Sequence, residues 1–478
     1  MQENKSMLKT FLEIPYEQLE EMNLQALAKA DHDAKLLEKE YLNYLVKEKR
    51  VKAITVCFTD LEGRFHMLDY DKKYLLSAKN NFTFDGSSIR GFTAQHESDL
   101  RLDIDWSSIR WLPSDVFGPG KIIVFANILN QDRSFHPSDM RGLLKNYASH
   151  LKKKHGVVMN SAAEIEGFLV DGTDAEQNYD EKKGFKFISS GGYYHSLPLD
   201  HLRMFIDKVA EAQRAMGFQN EKDHPEVAPS QFEVNFSYAE VVRACDNIQL
   251  YKLVCRQVAD SMGMTATFLP KPVANINGSG MHTNISISKN GKNIFYQKDG
   301  KEGLSSFAWD TVSRLLNHAP ELCLVFNPSV NAYRRLDPHF EAPNQIKVSA
   351  KDRGSMIRIP IGNERSARLE VRSVAPDANP YMVLYTLLKT AYEGKKIEKS
   401  KDKRDRLRFL PGNINDAIKI FKSSDHIEKI LGSDVKTKFL YWKETTADRS
   451  PKELGTIVKK SEIIFHHEIT NQLLWHEF

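Results

Sequence analysis

The sequence predicts an α+β protein in two main parts, a small β-rich part followed by a larger mixed one. Three observations carry this reading. Between residues 52 and 130, short apolar segments alternate with turn residues at close intervals. Beyond residue 135, helical periodicity and strand alternation are interleaved. A length of 478 residues is enough for two or three domains and a large core.

Composition narrows the function classes. Apolar residues make up 41% and charged residues 27%, ordinary for a globular protein in water. Lys and Arg number 67 against 63 Asp and Glu, a net charge of +4, which is no footprint for nucleic acid. No apolar run is long enough to span a bilayer. The N-terminal stretch carries charges throughout and has no apolar signal-peptide region, so a cytoplasmic location is expected. The four cysteines, at 57, 245, 255 and 323, have no CxxC spacing. They read as small buried hydrophobes in a reducing compartment.

The elements follow in order. Residues 1–35 mix acids and bases and read as an N-terminal helical extension. Leu37, Tyr41 and Leu45 recur at i, i+4, i+8, an amphipathic helix opening a unit over 36–135. KAITVCF (52–58) is a strand, Asp60 to Gly63 a turn, and Phe65 to Tyr70 the returning strand. Lys121 to Asn130 is the last strand of this unit. In the unit over 136–478, Met140 to His155 is a helix and Asn160 to Val170 a strand. Leu199 to Met216 is a helix with Leu202, Phe205, Ile206 and Val209 on one face. Strands are expected over 231–238, 281–288, 355–361 and 367–373. Asn379-Pro380 reads as an N-cap and first-turn proline for a helix to about Tyr392. Residues 395–408 hold eight basic and three acidic residues, a solvated connector, and the remainder is expected to be helical to Phe478.

Several of these strands carry acids on alternate positions. Residues i and i+2 of a strand share a face, so Glu164 and Glu166 project together with Ile165 opposite. Gln231, Glu233, Asn235 and Ser237 share a face, and Glu226 lies seven residues before Glu233. His282, Asn284 and Ser286 share another, as do Arg368, Glu370 and Arg372. One such pair is ordinarily a wet edge, and a lone His is ordinarily a satisfied one. Five glutamates and a histidine from four segments are harder to place that way. Carboxylates with one imidazole suit Mg²⁺ or Mn²⁺. Arginines at 334, 335, 353, 358 and 372 fit planar anions, phosphate or carboxylate. No P-loop and no GxGxxG after a strand is present, so a bound nucleotide would be held by metals and arginines. On these residues alone a two-metal hydrolase stays open.

Eleven segments then stand in one order: FDGSSIRGF (84–92), ESDL (97–100), EIEGFLV (164–170), SGGYY (190–194), HPEVAPSQFEV (224–234), NGSGMH (277–282), NPSVNAYRRL (327–336), FEAP (340–343), DRGSMIRIP (352–360), RLEVR (368–372) and PDANPY (376–381). From about residue 37 onward the chain resembles type I glutamine synthetase. The resemblance implies a small β-grasp-like domain and a large catalytic domain whose sheet is a half-barrel funnel with surrounding helices. It implies ligation of ammonia to the γ-carboxylate of L-glutamate, driven by ATP through a γ-glutamyl phosphate, with a relative that joins glutamate to a larger amine or polyamine as the alternative. A non-catalytic homologue would have lost metal or phosphate residues, and none is missing.

By the same resemblance two divalent cations are held, one by Glu166, Glu226 and Glu233, the other by Glu164, His282 and Glu370. Arg335 and Arg372 match the glutamate-binding arginines, and Asn277 and Gly278 the loop holding that substrate. Arg353 and Arg358 match those on the phosphates, and Ser286 a nucleotide contact. Asp85 matches the acid that binds ammonium, with Asp99 near it, and Glu341 the flap residue over the intermediate. Stacked rings of six subunits are implied, with sites shared between neighbours. The chain also departs from the pattern. Asn284 stands where many relatives have a second His. His339 replaces a flap Gly. Ala94 stands where a feedback-inhibited branch has Arg, so that feedback is not expected. The seven-residue Glu226–Glu233 spacing matches the branch without the adenylylation insertion, and no Tyr lies between 392 and 441.

Overall fold

Two helices precede the first sheet in the computed structural model, α1 (Tyr16–Ala28) and α2 (Ala34–Lys47). Leu37, Tyr41 and Leu45 form the buried stripe of α2, whose first turn is capped by the Asp33 carboxylate. Asn23 in the middle of α1 is buried. Its amide donates to the carbonyls of Trp111 (2.9 Å) and Ala215 (2.8 Å) and accepts from the Trp111 N–H. The extension therefore ties the two halves of the chain together.

The N-terminal sheet contains β1 (Ala53–Thr59), β2 (Phe65–Asp71), β3 (Phe82–Asp85), β4 (Asp99–Trp111) and β5 (Ile122–Leu129), in the order β2-β1-β5-β4-β3. β1 and β5 are parallel and the other pairs antiparallel, giving a β-grasp domain. Short helices α3 (Lys72–Ser77) and α4 (Ser114–Phe117) fill its connections.

The second part opens with α5 (Met140–His155), which ends at Gly156 in the left-handed region. Its ten-stranded sheet curves as a half-barrel. The strands are β6 (Val157–Asp171), β7 (Asn220–Pro225), β8 (Gln231–Phe236), β9 (Ala239–Glu240), β10 (Met264–Thr267), β11 (Met281–Lys289), β12 (Lys292–Asn293), β13 (Gln345–Ser349), β14 (Ser355–Arg358) and β15 (Leu369–Val371). The main path runs β13-β14-β15-β11-β6-β8-β7. Helices α6 (His201–Ala215), α7 (Val241–Ser261), α8 (Ser306–Phe326), α9 (Val330–Arg335), α10 (Pro380–Glu393), α11 (Ile414–Ser423) and α12 (Asp425–Leu431) surround it, and the chain is helical again over 433–448. α7 and α8 were not read from the sequence. Asn379 caps α10 through the N–H groups of Tyr381 and Met382, as its Asn-Pro start predicts.

The structure describes residues 13–78, 81–94, 98–177, 179, 184–195, 200–397 and 407–448. The expected helical tail from 449, the start of the extension, Glu97 of the ESDL segment and residues 398–406 of the connector lie outside them. Three strands are shorter than expected. β8 stops at Phe236, so Ser237 leaves the sheet, and β14 and β15 cover only Ser355–Arg358 and Leu369–Val371. Pro360 cannot continue a ladder.

The domains meet on a buried ionic network. Arg141 of α5 reaches Asp105 of β4 (2.9 Å), the side-chain amide oxygen of Asn127 (2.8 Å) and both oxygens of Asp246 on α7. The β1–β2 turn lies so close to α10 that a Cβ on Gly63 would sit 2.8 Å from the Asn379 Cα. Among the described residues no helix is long and apolar enough to cross a membrane.

Candidate active site

Strand register builds the site. β6 alternates as predicted, with Ile165 fully buried and Glu164 and Glu166 half-buried on the other face. β11 pairs His282 opposite Glu164, and β8 pairs Glu233 opposite Glu166. On the far side of β11, Asn284 faces Glu370, which also faces Arg358. β7 brings His224 opposite Glu233. Five strands thus deliver acids and imidazoles to one concave face.

Two groups of potential ligands result. Glu164, His282 and Glu370 offer donor atoms within 4.8 Å of one another, and so do His224, Glu226 and Glu233. Glu166 lies between them. Its carboxylate accepts from the Gly280 N–H (2.9 Å) and stands 3.9 Å from His282 Nδ1. His224 is the residue that sequence reasoning missed. It lies 3.5 Å from both Glu226 and Glu233. Its signal was available, since His224 and Glu226 are two apart across Pro225.

Electrostatics separate the groups. Burial and the neighbouring carboxylates of Glu166 and Glu233 push Glu226 up to about 9. Glu166 is raised as well, first by burial, with Glu233 adding to it. Glu164 is also buried, but the facing His282 and the Asn284 amide (3.1 Å) hold it at about 2. Fully buried Glu370 is gripped by Arg358 (2.5 Å) and Arg372 (2.6 Å). Packed carboxylates short of protein cations, as at Glu166, Glu226 and Glu233, are what hard divalent ions neutralise, and both groups offer the carboxylate and imidazole donors that such ions take.

The remaining expected residues fall around this floor. Asn284 donates to Glu164 (3.1 Å) and accepts from Arg368 (3.0 Å). A cavity of about 440 Å³ opens beside it, lined by Ser286, Lys222, Arg365, Arg368 and the exposed ring of Tyr238. Tyr238 was expected inside a strand and was not read as a site residue. Asn277 donates to Glu341 (3.0 Å), which has left-handed backbone (φ 61) at the end of the flap turn. His339 stays exposed, bonded to Asp337 at the start of that turn. A Cβ on Gly278 would collide with the Pro270 carbonyl, and one on Gly280 with Arg335 and His282. Buried Arg335 donates to the carbonyls of Arg372 (2.8 Å) and Val374 (3.2 Å). Arg353 is exposed, and its carbonyl accepts from Arg372. Tyr193 and Tyr194 stack on each other and stand edge-on to His224.

Asp85 and Asp99 are not part of this floor. They face each other across β3 and β4 in the N-terminal sheet, both exposed. The Asp85 carboxylate accepts from the Ser87 N–H and from the hydroxyls of Ser87 and Ser88, which hold it below the usual carboxylate range.

A β-grasp domain joined to a half-barrel sheet with a carboxylate-rich floor defines the class, that of the glutamine synthetases. Family models agree on both parts. Residues 50–131 match the β-grasp domain of glutamine synthetase and residues 137–456 its catalytic domain. Glutamine synthetase of Methanosarcina mazei is 36% identical over 430 residues, covering 87% of this chain and 95% of the relative. Glutamine synthetase of Staphylococcus aureus is 33% identical over 424 residues, covering 84% and 93%. Among solved structures, the Plasmodium falciparum glutamine synthetase superposes with a TM-score of 0.78 at 21% identity, covering 88% of this chain and 98% of that one. A GmaS–ADP complex does so at 0.75 and 25% identity, covering 88% and 99%. The chain belongs to the glutamine synthetase family and is a ligase of that family.

Proposed function

We propose that this ligase makes L-glutamine from L-glutamate and ammonia, with ATP phosphorylating the γ-carboxylate first. The observation that carries the reading is the pairing of two carboxylate–imidazole groups with arginines on one floor, beside a cavity large enough for part of a nucleotide. Glu164, His282 and Glu370 would hold one Mg²⁺ or Mn²⁺, and Glu166, Glu226 and Glu233 the other, with His224 against the second group. Such ions, when bound, neutralise the oxygens of the transferring phosphate.

The side chains divide the remaining work. Ser286 and the Tyr238 ring line the nucleotide end. Asn277, the tight Gly278 backbone, Arg335 and Arg372 orient glutamate. Arg353 and Arg358 meet charge that develops as the phosphoryl group moves. Glu341, held by Asn277, covers the acyl phosphate and limits its loss to water. Ammonium must shed a proton before it can attack, and a carboxylate that binds it and relays that proton meets the need. Asp85, with Asp99 beside it, fills this role from a neighbouring subunit in cytoplasmic rings of six, stacked in pairs. The test is the purified full-length chain with glutamate, ATP and Mg²⁺, comparing ammonia with a panel of amines and polyamines. Release of ADP and glutamine with ammonia is expected. Preference for a larger amine would assign the chain to amine ligation.

A further inference from the structure

A separate cavity of about 160 Å³ lies where the two domains meet, walled by β4 on one side and by α5, the start of β6 and the first turn of α7 on the other. It shares no lining residue with the cavity beside Ser286. Its acids are already committed. Asp105 is held by Arg141 (2.9 Å), Lys145 (2.6 Å) and the Ser107 hydroxyl (2.6 Å). Asp246 gives one oxygen to Arg141 and Tyr381 and the other to Arg141. Glu240 caps α7 through the Val242 N–H, and the largely exposed Asp31 pairs with Lys152 (3.2 Å).

Two guanidinium groups have no hydrogen-bonded acid among the described residues, though Asp246 attracts Arg110 and Glu240 attracts Arg243 through space. Arg110 is only 4% exposed, yet it forms no ion pair among the described residues. Its Nη1 donates to the carbonyl of the adjacent Ile109, and its Nε has no partner. Arg243, half-buried in the first turn of α7, also lines the cavity. Burial and the like charge of Arg243 bring Arg110 down to about 10. A buried cation with an unused donor, repelled by a second cation across a cavity, is costly unless an anion completes it.

We propose that this cavity is a second, non-catalytic binding site for a small oxyanion, gripped by Arg110 and Arg243 and bridging the two domains. The guanidinium fork matches a pair of oxygens on a phosphoryl or carboxylate group. The volume takes about five waters' worth of ligand, at about 30 Å³ each. That admits inorganic phosphate, a small phosphate ester or a short dicarboxylate.

Equilibrium dialysis with labelled inorganic phosphate tests this on the full-length protein. The wild type should bind one more phosphate per chain than Arg110→Met or Arg243→Gln, each variant weakening that site about 10- to 100-fold. Arg243 is only half-buried on its helix, so Arg243→Gln keeps the test valid where Arg110→Met fails to fold. Displacement of the extra phosphate by succinate assigns the site to dicarboxylates, and resistance to succinate assigns it to phosphoryl groups. Equal phosphate stoichiometry in the wild type and the folded variants overturns the proposal. The readout is binding, so it is independent of which amine the ligase uses.

Discussion

Two buried glutamates show the same group in opposite states. Glu62, 3% exposed, lies on the β1–β2 turn where the N-terminal domain meets the helical segment over 433–448. Glu226 lies on the funnel floor with its side chain 12% exposed. Burial pushes both carboxyls up. At Glu62, Lys443 and Arg90, each at 2.7 Å, reverse that push and hold it at about 2. At Glu226, Glu166 and Glu233 add to it and take it to about 9. A structural carboxylate brings its own counter-charge. Glu226 has no such partner within the chain, unlike Glu164 and Glu370 on the same floor, and is the group that would meet a counter-charge from outside it.

The sharpest way to break this comparison is Glu226→Ala. Turnover should fall by about 10³-fold or more, since a ligand for phosphate-neutralising charge is lost. Stability should not fall with it. The melting temperature in cation-free buffer should hold or rise, because the fold no longer has to keep this carboxyl buried and protonated beside Glu166 and Glu233, when the unfolded chain would leave it ionised. Added Mn²⁺ should raise the melting temperature of the wild type more than that of the variant. Near-wild-type activity, or a large drop in cation-free stability, would place Glu226 with Glu62 as a structural group.

The floor was legible in the sequence because strand alternation is a local signal. Glu164 and Glu166 with Ile165 between them, or Arg368, Glu370 and Arg372, declare a face without any knowledge of partners. What failed was either boundary or distance. Alternation continued to Tyr238, but the strand ends at Phe236 and frees the Tyr238 ring for the cavity. α7 is buried on most sides, so no single apolar stripe announces it. The Glu62–Lys443 pair, the Asn23 bridge and the Arg110 cavity join residues far apart in sequence, and no period encodes them.

Asp85 extends the comparison to a group that is satisfied and exposed at once. Its turn takes all three of its hydrogen bonds, so capping alone could account for it. Asp85→Asn separates the readings, because Asn also caps such turns but carries no charge. Glutamine formation from ammonia should drop about 10²-fold. Hydroxylamine, neutral near pH 7, should restore much of the rate. Co-expressing Asp85→Asn with Glu226→Ala chains should recover about a quarter of the sites if each is shared between neighbours. Equal loss with both nucleophiles would leave Asp85 a cap.

On the structural side of the comparison, Glu62→Gln should cost about 3 kcal/mol, since Lys443 and Arg90 lose a buried partner. The folded pKa lies below the unfolded one. The stabilisation is therefore present above about pH 4.5 and disappears as pH falls toward 2. Urea melts across that window should show the wild type losing stability more steeply than the variant. Parallel pH profiles would mean that the ion pairs stabilise nothing.

The smallest expected effect divides two arginines on one carboxylate. Arg358 and Arg372 both bind Glu370, at 2.5 and 2.6 Å, so either one replaced by Lys loosens the same group. That shared part should appear as the same modest rise in the Mn²⁺ concentration needed for half-activity. The unshared part follows from where each side chain sits. Arg372 is buried and donates to the Arg353 carbonyl, so Arg372→Lys replaces a two-pronged donor with a point charge. It should raise the KM for glutamate about tenfold with little change in kcat. Arg358 is partly open, and its charge matters most as the phosphoryl group moves. Arg358→Lys should lower kcat about tenfold and leave the KM for glutamate near its original value. Steady-state kinetics at saturating Mn²⁺ removes the shared component and isolates the two. The reverse assignment would exchange the substrate and phosphate roles, and identical profiles would reduce both arginines to counter-ions of Glu370, as Lys443 and Arg90 are to Glu62.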